Sequence, residues 1–169
     1  MAATVEWLAA KEEIREVLLR YCRGVDRCDE ELLRGVYHED SYDDHGSFKG
    51  DGREFASAIV ASKRTDALFS IHHVGNMSID IELDADTATA ETYFVAANRL
   101  RAAPDHLQVF VGRYVDRFDR RDRQWAIAQR LVVHDWSGDV PITGEGVEGL
   151  PLDMFARGDR YPDDAVYSL

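Results

Sequence analysis

From Met77 to Trp136 the chain reads as one extended strand after another with no helical interval, and this is the feature that most narrows the fold. Met77, Ile79, Ile81 and Leu83 alternate with Ser78, Asp80 and Glu82, the period-two pattern of a strand with one buried face, ending at the turn-like Asp84-Ala85-Asp86. Thr87 to Leu100, Gln108 to Phe118 and Trp125 to Trp136 read as three more strands, and the short Arg120 to Arg123 connection reads as a hairpin turn. Parallel neighbours would need long crossovers, so consecutive strands this close imply an antiparallel sheet.

What precedes the sheet has a different period. Ile14, Val17, Leu18, Tyr21 and Val25 recur every three to four residues, which predicts a helix over Val5 to Val25 with Thr4 as its N-cap. Asp29-Glu30-Glu31 supplies the acidic start of a short second helix through about Val36. Phe55, Ile59 and Val60 predict a third from Arg53 to Lys63, and the polar segment from His38 to Gly50 between them reads as a loop with a short strand. Helices first and sheet last is the α+β class. After Trp136 the sequence is rich in Gly, Pro and Asp. Residues 137–169 are therefore expected to be an irregular extension of a single domain spanning 1–136, anchored by Leu152, Met154 and Phe155 and covering a pocket mouth or a neighbouring subunit.

The 169 residues suit one domain, and 45% hydrophobic with 31% charged composition suits a packed soluble fold. A formal charge of −12 opposes binding to phosphate backbones and anionic lipid, so neither nucleic acid nor membrane is an expected partner. The beginning has no basic region followed by a long apolar run, which points to the cytoplasm. Cys22 and Cys28 lack redox or zinc spacing and read as reduced packing residues of the first helix.

Polar residues stand out in three places. Tyr21 and Asp26 border the end of the first helix in YCRGVDR. In the His72-His73 doublet only one ring can enter a cavity, because successive strand residues face opposite sides. Arg130 shares a strand face with Ala126 and Ala128, small residues that leave room beside it. Each also has a plain structural reading, as core, hydrogen-bonded strand residue or surface ion pair. The His38–Gly46 segment HEDSYDDHG has metal-binding residue types without a recognised ligand spacing, so no metal is expected.

Taken together, YCRGVDR, HEDSYDDHGSFKG, SIHHVGN and GRYVDRFDRRDRQWAIAQRLVVHDW resemble the SnoaL-like family of the nuclear transport factor 2-like superfamily, over about Glu12 to Trp136. The resemblance implies a cone-shaped, cystatin-like α+β barrel, with three helices on a strongly curved, mainly antiparallel sheet around an internal pocket. It is similar in particular to the branch of dehydratases and dehydrochlorinases, in which an aspartate ending the first helix pairs with a histidine early on a strand. Asp26 and His72 match that catalytic pair, and Tyr21 and Arg130 match substrate-binding positions. Tyr42 and His45 both fall where a further pocket residue is expected, and the resemblance leaves open which one faces inward.

The implied chemistry is cofactor-independent. An imidazole, whose unperturbed pKa of about 6.5 lies near working pH, abstracts a carbon-bound proton while a carboxylate fixes its tautomer. A lyase acting on a small cyclic or polycyclic apolar substrate is the leading expectation. A ketosteroid-isomerase-like enzyme, a polyketide cyclase and a non-catalytic binding or accessory subunit are the alternatives, since one fold hosts them all. A homodimer or homotrimer joined through the sheet's outer face is also expected.

Overall fold

The computed structural model describes residues 4–143 and 154–168. The α-helices among the described residues are α1 (Val5–Arg27), α2 (Glu30–Arg34) and α3 (Gly52–Asp66). Strands β1 (Tyr37–Asp44) and β2 (Lys49–Asp51) precede α3, and β3 (Ala67–Glu82), β4 (Thr87–Leu100), β5 (Ala103–Arg121) and β6 (Gln124–Pro141) follow it. They form one six-stranded sheet in the order β2-β1-β6-β5-β4-β3. The sheet curves around the helices without closing, which is the α+β class that the pattern of elements implied and the cone that the family resemblance implied.

The helix starts follow local chemistry. Thr4 Oγ1 accepts from Trp7 N at 3.1 Å, Asp29 Oδ1 from Leu32 N at 3.1 Å, and Asp51 Oδ1 from Arg53 N and Glu54 N, so each helix has an N-cap for its unsatisfied amides. α1 buries Ala10, Ile14, Val17, Leu18, Tyr21, Cys22 and Val25 against the sheet's concave face. Along β4 the burial alternates strictly, with Ala88, Ala90, Thr92, Phe94, Ala96 and Asn98 turned inward. The β5–β6 turn places Asp122 and Arg123 at φ 51° and 65°, the two positive values that a type I′ hairpin requires.

Several strands exceed their expected lengths. β3 begins at Ala67, ten residues before Met77, because Ser70, His72 and Val74 already alternate with exposed neighbours and pair with β4. β6 runs on to Pro141, where the composition suggested irregular chain, because β5 continues beside it as far as His106. The segment after Val36 is a strand over Tyr37–Asp44 rather than a loop with a short one, and it pairs parallel with β6, so the sheet is mixed. Cys28 is the left-handed C-cap of α1, not a residue within the helix, and both cysteines are free and buried.

Two glycines are fixed by close approach. A Cβ at Gly52 would lie 2.4 Å from the Tyr37 ring where α3 starts, and one at Gly112 would lie 2.2 Å from Val133 O at the irregularity that bends β5 against β6.

Residues 154–168 dock on the end of α1, outside the lining of the cavity between α1, α3 and the sheet. Tyr161 N donates to Arg27 O, Arg160 Nη2 donates to Ala67 O at 2.9 Å, and Arg27 pairs with Asp164 at 3.2 Å. Of the expected anchors, Met154 and Phe155 are 79% and 60% exposed, and Leu152 lies outside the described residues. The tail holds through charged and backbone groups instead. Among the described residues no helix is long and apolar enough to cross a membrane.

Candidate active site

Between α1, α3 and the concave sheet lies a cavity of about 520 Å³, within the range of small-molecule sites. Its walls are largely apolar, with Val25, Phe55, Ile59, Phe94, Phe110 and Val132 among them. Polar side chains enter at separate points, among them Tyr21, His45, His72, Lys63, Asp66, Asn98, Gln108 and His134.

Asp26 and His72 meet at the cavity's edge. Asp26 Oδ1 lies 2.6 Å from His72 Nδ1, and Asp26 Oδ2 accepts from the His72 backbone N–H at 2.8 Å. Both side chains are about nine-tenths buried, at 9% exposure for His72 and 11% for Asp26. The carboxylate therefore grips the histidine twice, by its backbone and by its ring. With Nδ1–H donating to Asp26, Nε2 is the basic nitrogen, and no residue among those described bonds to it. His73 is exposed on the other face, as strand alternation requires.

The position of Asp26 is itself informative. A carboxylate in the last turn of α1 opposes the helix dipole, which favours cations there. The carboxylate is held there by its two hydrogen bonds to His72 rather than by the helix.

A second carboxylate–histidine pair stands across Tyr21. His45 Nδ1 bonds to Asp43 Oδ1, and Tyr37 O–H donates to Asp43 Oδ2 at 2.6 Å. His45 Nε2 lies 3.1 Å from the Tyr21 hydroxyl. Burial of the ring pulls the His45 pKa down against the opposing pull of Asp43, so the imidazole is neutral and Nε2 accepts from Tyr21 O–H. Burial also raises the Tyr21 hydroxyl above its ordinary value, so it remains protonated. The Tyr21 ring stands 6.4 Å from that of His72 and 6.5 Å from that of His45, between the two pairs.

Arg130 does not face the cavity. Its side chain is fully buried, and it donates to both oxygens of Asp116 at 2.7 Å, a bidentate pair between adjacent strand positions. The guanidinium is stacked between Tyr21 and Tyr114, 4.1 Å from each ring centroid. The expected substrate contact is replaced by a support behind Tyr21, because Asp116 on β5 captures the charge. The small neighbours Ala126 and Ala128 accommodate packing rather than a ligand.

Tyr42 is likewise corrected. It is 44% exposed on the outer side of β1, whereas Ser41 and Asp43 point inward and His45 continues their side. Of the two residues left open by sequence, His45 is the cavity residue. Asp43 and Asp116 were missed altogether. Their signal was the period-two spacing of Ser41, Asp43 and His45, and of Gly112, Tyr114, Asp116 and Phe118, which places each carboxylate on an inward face. Among the described residues no three metal-ligand side chains converge.

A SnoaL-like domain model matches residues 6–131. The chain belongs to the SnoaL-like family. Its fold is similar to that of a hexachlorocyclohexane dehydrochlorinase, LinA type 2, at 17% identity and a TM-score of 0.73, covering 85% of this chain and 97% of that one. A scytalone dehydratase-like protein from Novosphingobium aromaticivorans gives 20% identity and a TM-score of 0.71 over 85% of this SnoaL-like chain and 95% of its own. The β subunit assigned to an aromatic-ring-hydroxylating dioxygenase from the same organism gives 20% identity and 0.61, over 76% and 91%. No curated protein matches the chain. At these identities the likeness fixes the fold of this family member, and the chemistry has to be argued from its own residues.

Proposed function

We propose that this SnoaL-like protein is a lyase of the dehydratase or dehydrohalogenase type, acting on a small cyclic or polycyclic apolar molecule through the Asp26–His72 pair. The observation that carries the reading is the double grip of Asp26 on His72, which leaves one basic nitrogen at a largely apolar cavity. His72 Nε2 takes a proton from carbon, and the C–H electrons become the new double bond as the leaving group departs with its own pair. Asp26 stabilises the resulting imidazolium, as an orienting carboxylate does in a triad.

The Tyr21 hydroxyl is a rotor that turns from His45 to give its hydrogen to a departing hydroxide, or to hydrogen-bond a departing halide. Asp43, His45 and Arg130 act by holding that phenol in place. Every group the step requires is a side chain, so the reading calls on no metal or organic cofactor. A proton-transfer isomerase is the second reading, favoured by the presence of Tyr21 and the Asp43–His45 pair opposite the base, which can return a proton to another carbon. Support for self-association comes from the sheet's outer face, where Tyr93, Val95, Val115, Leu131 and Trp136 are all at least 40% exposed.

A panel of hydroxylated and halogenated cyclic ketones, assayed for release of water or halide, tests the proposal. Turnover by the native chain and its loss in His72→Ala at unchanged circular dichroism are expected. Undiminished turnover in that variant would remove the proposal, and double-bond migration without a leaving group would select the isomerase.

A further inference from the structure

Lys63 reaches from α3 to the sheet and lines the cavity wall. Its Nζ donates to Ser70 Oγ at 2.9 Å and to Asn98 Oδ1 at 2.5 Å, both neutral acceptors, and no carboxylate among the described residues pairs with it. An ammonium has three hydrogens, so one remains for something in the cavity. Ser70 also donates to Asn98 Oδ1 at 2.9 Å, so these two satisfy each other and do not need the lysine. A cation drawn out of water without a carboxylate in direct contact is costly, and burial brings the Lys63 pKa down to about 8 even though the more distant Asp26 charge opposes the fall. The groups facing it are Asp26 on α1 and Cys28 after it, Asp66 on its own helix, His72 on β3 and Arg160 from the C-terminal segment.

Strand register gives its place relative to the chemistry. Opposite β4, Tyr114 pairs with Thr92, His72 with Ala96 and Ser70 with Asn98, and Thr92, Ala96 and Asn98 share the inner face. The base therefore sits between the tyrosine cluster on one side and Lys63 on the other. Ser70 and His72 are two residues apart, roughly 6.6 Å along the strand. A substrate whose leaving group meets Tyr21 and whose acidic carbon meets His72 extends its next substituent toward the ammonium.

We infer that Lys63, with Ser70 and Asn98 behind it, is an acyl-oxygen subsite, and that the substrate is an apolar ring compound with a carbonyl or carboxylate oxygen beside the carbon that loses its proton. The inference rests on the lyase reading for the role of His72. Negative charge that develops on the acyl oxygen as the proton leaves is met by a cation held in a cavity poor in water, which is where such a charge acts most strongly.

Binding measurements test the subsite without turnover. Sodium 2-naphthoate, 2-acetylnaphthalene and 2-ethylnaphthalene are titrated into the native chain and into Lys63→Met, followed by calorimetry. The native chain is expected to bind the two acyl probes about tenfold more tightly than the ethyl compound. Lys63→Met should bind all three alike, while His72→Ala should keep the native preference. If Lys63→Met does not fold, the native chain alone decides: its preference for naphthoate should fade as the pH rises past the lysine's titration near 8. Equal binding of all three by the native chain, no binding of any, or a preference that survives Lys63→Met or the pH rise overturns the subsite. Loss of the lyase reading would appear separately, as the absence of turnover in a chain that still discriminates among the probes.

Discussion

Replacing Asp26 by Asn changes one atom and should cost most of the activity, for a reason visible in the hydrogen bonds. Asp26 accepts twice from His72, at Nδ1 through Oδ1 and at the backbone N–H through Oδ2. An amide has one acceptor oxygen and one donor nitrogen, so it can satisfy only one of those donors as it stands. The backbone N–H cannot change its role, but the imidazole can move its proton. The variant should therefore keep oxygen on the amide and turn its NH2 toward Nδ1, which forces the ring hydrogen onto Nε2. The nitrogen facing the cavity is then a donor and cannot act as a base. The carboxylate that stabilises the imidazolium is lost at the same time. General-base catalysis is worth about 10² to 10⁴ in rate, so a loss of about 3 to 5 kcal/mol of transition-state stabilisation is expected. Nitrogen-15 NMR of labelled histidines reads the tautomer directly, with Nε2 unprotonated in the native chain and protonated in Asp26→Asn. An unchanged tautomer, or turnover within threefold of native, would refute this account of the pair.

Three further outcomes follow from the same geometry. Arg130→Met leaves Asp116 buried without its bidentate partner and should cost about 3 to 5 kcal/mol in urea unfolding, whereas Arg130→Met with Asp116→Leu should recover much of that; a single variant within 1 kcal/mol of native would contradict it. His45 is held neutral, so the unfolded chain binds the extra proton once the pH falls below the ordinary imidazole value of 6.5, and folding stability should decline with it. Tm measured against pH should fall less steeply in His45→Gln, and parallel curves would count against the neutral ring. Sedimentation velocity should show an oligomer that Leu131→Lys dissociates, since Leu131 is 44% exposed on the outer sheet face; a native monomer would end that reading.

The sequence alone determined what depends on near neighbours along the chain. The face of α1, its cap at Thr4, the acidic start of α2 at Asp29, the limits of β4 at Thr87 and Leu100, and the order of helices before sheet are written in local residue types and in spacings of two, three and four residues. The pairing of Asp26 with His72 was legible through the resemblance carried by YCRGVDR and SIHHVGN, with Asp26 in the last turn of α1 and His72 in the first half of β3. Where the charged and polar groups found partners was decided by tertiary structure. Arg130 could be placed on an inward strand face from its neighbours, but its capture by Asp116 depends on the register between β5 and β6. His45 was separated from Tyr42 only when the polar segment after Val36 became a strand, because the parallel pairing with β6 supplies hydrogen bonds that the segment's own residues do not advertise. Lys63 looks like an ordinary solvated helix residue until the sheet curls over α3 and takes away its water. Period fixes the direction of a side chain, but its chemistry depends on what the fold brings to meet it.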